Sequence, residues 1–171
     1  KGPHAWLAGA RRGRAARGER RRCAHMQRLV HYFAVLGASE DELGRALQLA
    51  AEAPGPVRTA LRVTALERYP PQDHGGVPLS QQLAALPEFC FPGGALLTSE
   101  KPAGARPAFL AFALQQHDGK RLHVACLTCH ERHQAAPGRD VYSPKAFFVM
   151  SVLPYLDTFR RLLADVVSAA R

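Results

Sequence analysis

Residues 107–131 read PAFLAFALQQHDGKRLHVACLTCHE. Two apolar, strand-like runs, residues 109–115 and 121–129, flank His117, Asp118, Gly119 and Lys120. Asp-Gly supplies the positive φ angles that a tight hairpin turn demands, so this stretch predicts an antiparallel β-hairpin. A hairpin cannot bury an apolar face by itself. The flanking sequence must therefore supply further strands and a covering layer.

Both sides do so. Downstream, residues 147–152 (FFVMSV) form a nearly continuous apolar run, the pattern of a strand covered on both faces. Pro154 then opens a helical pattern in which Leu156, Phe159, Leu163 and Val166 share one face, leaving Arg160, Arg161 and Asp165 to water. Residues 134–140 between hairpin and run read as a loop.

Upstream, residues 29–36 (LVHYFAVL) predict a first strand that stops at Gly37. Ser39 with Glu42 forms a capping-box pattern, and Leu43, Ala46, Leu47 and Ala50 recur at helical spacing, so a helix is expected over residues 41–52, broken by APGPV at 53–57. A short apolar stretch at 59–66 precedes RYPPQDHGGVP, a loop by its proline and glycine content. Residues 79–86 suggest a helical turn, and residues 88–91 a short strand halted by Pro92, Gly93 and Gly94. Strand, helix, several antiparallel strands and a closing helix make an α+β domain of sheet packed with helices.

The chain has 171 residues, 47% hydrophobic and 22% charged, the composition of an ordinary globular protein with one core. Its net charge of +9 is concentrated at one end: residues 1–25 carry +7, leaving +2 for the rest. The arm GARRGRAARGERRRC lacks apolar periodicity and is expected to be a disordered basic leader, possible upstream sequence ahead of Met26, with residues 26–171 as the folded domain. The arm alone could serve nucleic acid or anionic lipid; the nearly neutral body argues against a nucleic-acid partner. No secretory signal and no apolar stretch of membrane-spanning length is present, and four cysteines fit a reducing, cytoplasmic setting.

Cys126-Leu127-Thr128-Cys129-His130 matches the spacing of covalent haem attachment, and adding His123 and His133 gives a possible zinc set. A strand through this segment points positions three apart to opposite faces, which prevents Cys126 and Cys129 from sharing one cofactor. No recognisable nucleophile context accompanies the thiols. The glycine pairs 75–76 and 93–94 lie beside prolines and are not phosphate loops, so neither a cofactor nor a bound nucleotide is expected.

Five phrases stand in a set order: LVHYFAVLG (29–37), LERYPPQDH (66–74), PEFCFPGG (87–94), the hairpin at 107–131, and YSPKAFFVMSVLPYLDTFRRLL (142–163). Together they resemble the upstream DENN (uDENN) domain of the DENN-domain proteins, over residues 29–167. Two departures stand out: the segment 39–56 is longer than the shortest family members have and resembles an inserted helix, and the sequence ends at Arg171 with no central or downstream DENN segment. The resemblance implies a longin-like fold and the N-terminal lobe of a guanine-nucleotide exchange factor for Rab small GTPases. Such a factor acts by binding rather than by covalent chemistry, and the fragment alone is expected to be inactive in exchange. The implied partners are a Rab-family GTPase and the downstream lobe of the same protein, with peripheral association on vesicle or endosomal membranes. A longin-like scaffold or trafficking adaptor without exchange activity is the alternative, and a zinc- or haem-binding protein a weaker one. No residue is assigned to the GTPase contact.

Overall fold

The computed structural model describes residues 28–73, 78–79, 84–102, 107–116 and 119–170; the basic leader, His117 and Asp118 lie outside them. Among the described residues, seven strands and three helices follow in the order β1 (Tyr32–Ala38), α1 (Glu40–Glu52), β2 (Arg58–Ala60), β3 (Val63–Tyr69), α2 (Leu86–Cys90), β4 (Leu96–Thr98), β5 (Ala108–Gln115), β6 (Arg121–Ala136), β7 (Arg139–Ser151) and α3 (Leu156–Ala169).

All pairings are antiparallel, and β7 is their hub. Strand β6 lies along one side of it, from His123↔Ser151 to Ala136↔Arg139. The other side is shared: β1 pairs with its C-terminal half, Tyr32↔Met150 to Leu36↔Ala146, and β4 touches its N-terminal half at Thr98↔Tyr142. Strand β3 lies outside β1, β2 outside β4 and β5 outside β6.

The apolar run at the end of β7 is buried on both faces, as its sequence requires. Ala146, Phe148 and Met150 face one core together with Tyr32, Ala34, Leu36, Val124 and Cys126. Phe147 and Val149 face a second core with Val35, Ala125, Leu127 and Cys129. Helices α1 and α2 close the first core through Ala46, Ala50, Leu86 and Cys90; α3 closes the second through Phe159, Leu163 and Val167. This α+β arrangement, a curled antiparallel sheet with helices on both faces, is consistent with the longin-like fold. Among the described residues no helix is long and apolar enough to cross a membrane.

At the start of α1, Ser39 Oγ accepts from the Glu42 amide at 3.3 Å, but the Glu42 carboxylate does not return to the cap. It accepts instead from the Arg62 amide at 3.0 Å and pairs with Arg45 at 2.6 Å, fastening the helix to the turn before β3. Two expectations are corrected. Residues 88–91 were expected as a strand and belong to α2 and its C-cap: Pro87 sits in the first turn, where a missing N–H costs nothing, and Leu86 and Cys90, four apart, are buried together. Residues 134–140 were expected as a loop, whereas β6 and β7 run on as a two-stranded ribbon turned at Pro137 and Gly138, the glycine supplying φ = 75°.

Candidate interaction surface

Helix α2 lies over the first core near the sheet edge formed by β5. Leu86 and Cys90 point into that core and Phe89 points out, 47% exposed, stacked on Phe112 of β5 with ring centroids 5.1 Å apart. The chain then turns sharply through Pro92 and Gly93. Phe91 donates its amide to Pro87 O and its carbonyl accepts from Gly94 N–H, both at 2.8 Å, with Gly94 at φ = 79°. Few L-residues hold that backbone conformation without strain.

Beyond this turn the chain enters β4, joined to the preceding segment by Leu61 N–H to Ala95 O at 2.8 Å and by Val57 N–H to Ser99 Oγ at 3.0 Å. Between α2 and its turn, the β2–β4 pair and the start of β5, a cavity of about 700 Å³ opens onto the sheet. Val57, Cys90, Phe91, Leu96, Leu110 and Pro144 supply apolar walls. Arg58, Glu100, Thr128 and His130 add polar groups. Thr128 Oγ1 donates to the Cys90 carbonyl at 3.3 Å, tying the helix end to β6. Partial burial lowers the pKa of His130, so the ring favours its neutral form.

The residues singled out by the haem- and zinc-like spacing are not gathered in one place. Strand β6 continues through Cys129 to Ala136, so Cys126 lies in the first core and Cys129 in the second, on opposite faces of the sheet. His130 lines the cavity, whereas His133 hydrogen-bonds Ser143 Oγ at 2.8 Å on the distal ribbon. His123 is half-buried at the other end of β6. Among the described residues no three His, Cys, Asp or Glu side chains converge as metal ligands do.

What the strand reading missed is Cys90. Once residues 86–90 turn as a helix, Cys90 joins the first core together with Cys126, whose Sγ lies 3.8 Å from Thr128 Oγ1. No local pattern announces that residues this far apart in sequence share one core.

The surface is therefore an apolar cleft beside an exposed aromatic pair, built by β2, α2, β4, β5, β6 and Pro144 of β7. Residues 63–129 match the uDENN domain. The uDENN match opens at the first residue of β3 and closes at Cys129 in β6, so it takes in two of the five phrases that carried the resemblance whole, and the hairpin phrase except for its last two residues. Comparison with curated proteins and with solved structures gives no match. The matched segment is similar to the upstream domain of the DENN-domain proteins.

Proposed function

We propose that this chain is the N-terminal lobe of a DENN-type guanine-nucleotide exchange factor, binding a Rab-family small GTPase in membrane trafficking. The reading rests on the uDENN match at residues 63–129. The work is done by binding alone: a lobe that prefers the GTPase with its switch regions open shifts the population toward the nucleotide-free form, in proportion to its differential affinity for the two states. No nucleophile, cofactor or metal takes part. The downstream DENN lobe of a longer protein and a vesicle or endosomal membrane surface complete the proposed setting.

Within the matched stretch we assign the contact to the corner between α2 and β5. Phe89 is an exposed aromatic anchor already stacked on Phe112, and the neighbouring cleft has room for an apolar side chain of a partner. The test is binding of the purified chain to a panel of Rabs, each nucleotide-free and GTP-loaded, with wild type and Phe89→Asp. Preference for the nucleotide-free form of at least one Rab is expected, and Phe89→Asp should weaken it roughly tenfold or more, as loss of an interface anchor does. The variant also loses the stack on Phe112, worth about 0.5–1.5 kcal/mol, so its thermal midpoint should fall by no more than about 6 °C and the domain should stay folded at assay temperature. Equal affinity for the two forms would favour a longin-like scaffold or adaptor; binding to no Rab in either form would overturn the assignment.

A further inference from the structure

We propose that two copies of this chain pair antiparallel along the outer edge of β5, forming a twofold-symmetric dimer with one continuous sheet. Among the described residues three strands end the sheet, β2, β3 and β5, each paired on one side alone. Backbone N–H and C=O groups along such an edge are a template for another strand, and single-chain proteins guard it with brevity, charge, proline or a bulge. Strand β2 is three residues long and opens on exposed Arg58. Strand β3 carries Glu67 and Arg68, pairs with β1 through a register shift at Val35 and Leu36, and runs into Pro70. Strand β5 has none of these guards. Its eight residues, AFLAFALQ, hold no charge, proline or glycine, and all eight pair with β6 in one unbroken register from Ala108↔Thr128 to Gln115↔Arg121.

The strand's own pattern selects a second copy as the occupant. Directly opposed side chains of an antiparallel pair share a face, so a twofold axis normal to the sheet must pass between one residue and its own equivalent. With Phe112 at the axis, Leu110 faces the second copy's Leu114, Ala111 its Ala113 and Phe109 its Gln115, and no like charges meet. Moving the axis to Ala111 would set Pro107 opposite Gln115, where the ladder lacks a donor. Leu110, Phe112 and Leu114 pack on the first core yet stay partly exposed, and the second copy covers that remaining surface with matching apolar groups. Ala111 and Ala113, exposed on the other face, are too small to obstruct the approach. Phe89, stacked on Phe112 with centroids 5.1 Å apart, adds apolar surface beside the axis. The pairing needs no GTPase, so it and the exchange reading can fail separately.

Sedimentation velocity of the full chain from about 1 to 100 μM, the range in which a weak dimer populates, tests this. A reversible monomer–dimer equilibrium without larger species is expected. Ala111→Lys combined with Ala113→Lys sets like charges opposite each other twice and should weaken the dimer about tenfold or more; Ala111→Lys combined with Ala113→Glu sets opposite charges there and should bring it back to within about threefold of wild type. Both positions are exposed, so the two variants should keep the wild-type thermal midpoint of the monomer to within a few degrees. A wild-type monomer at every concentration, a dimer of undiminished strength in the like-charge variant, no dimer in the opposite-charge variant, or open-ended polymers would each overturn the proposal. The wild-type run decides against it by itself if no dimer forms, even should a variant fail to fold.

Discussion

Replacing Arg139 by alanine should cost this domain a large share of its stability, because one guanidinium closes a helix that has no other C-terminal cap. Helix α1 ends without a basic residue in its last turn, and its C-cap, Ala53, is extended at φ = −66° and ψ = 134° rather than followed by a left-handed glycine. Its terminal carbonyls therefore need partners from elsewhere. Arg139, at the start of β7, donates from Nη1 to Ala51 O at 3.4 Å and to Ala53 O, and from Nη2 to Gly55 O. Hydrogen bonds to a charged donor contribute about 1.5–3 kcal/mol each. The carbonyls are only part-buried, so water recovers some of that on truncation, leaving an expected loss of about 2–3 kcal/mol for Arg139→Ala. For a domain of this length each kcal/mol lowers the midpoint by about 2–4 °C, so a fall of roughly 4–12 °C is expected by calorimetry. Arg139→Lys keeps the charge but lacks the planar fork, and should recover less than half. A loss under about 0.5 kcal/mol, or a lysine variant equal to wild type, would show that solvent caps α1 and that the clamp contributes little.

Phe159→Ala, which empties a fully buried position between α3 and the sheet, should cost about 3–5 kcal/mol in urea unfolding; under 1 kcal/mol would mean the second core is loosely held. Gly94→Ala should cost about 1–2 kcal/mol from backbone conformation alone, since an added Cβ meets nothing within 4 Å at φ = 79°; an unchanged urea midpoint would contradict the turn geometry. The pKa of His133 is depressed by burial and secondarily by Lys145, with Glu131 opposing, so the unfolded chain takes up a proton first. The stability this group contributes is present above the ordinary histidine value of 6.5 and is lost as pH falls below it; His133→Gln should flatten the decline in unfolding free energy between about pH 7 and pH 5, and an unchanged slope would assign that decline to other groups.

The sheet was legible where residue chemistry is local. The hairpin of β5 and β6, the doubly buried end of β7 and both long helices follow from period and turn residues, and the divergence of Cys126 and Cys129 follows from the two-residue period of a strand. The misreadings have identifiable causes. Pro87 and the Pro92-Gly93-Gly94 punctuation around a four-residue run suited a short strand as well as one helical turn, and burial of Leu86 with Cys90 decides for the helix. The polar sequence at 134–140 lacks strand composition, yet Arg132 pairs with Asp140 at 2.9 Å and Gly138 turns the ribbon back on itself. The cavity was not legible at all: residues from five separate stretches of chain line it, and none is marked by spacing.

Its position follows from the way β7 divides its partners. Along one side β6 runs without interruption, but on the other β1 serves only positions 146–150 and β4 joins at Tyr142. Between the two pairings, Ser143, Pro144 and Lys145 are paired by neither β1 nor β4, and the surface at Thr128, His130 and Pro144 is left to a helix of five residues. So short a helix can cover the core beneath Leu86 and Cys90 and no more. Its stability comes from tertiary contacts rather than from its own ladder. The wall of the cleft is therefore held by few bonds, chiefly the stacking of Phe89 on Phe112 and the Thr128 bond to Cys90, while the floor belongs to the most heavily paired strands of the molecule. The wall is nevertheless anchored in the first core through Leu86 and Cys90, so a group seated beside Phe89 meets a preformed surface rather than one free to move.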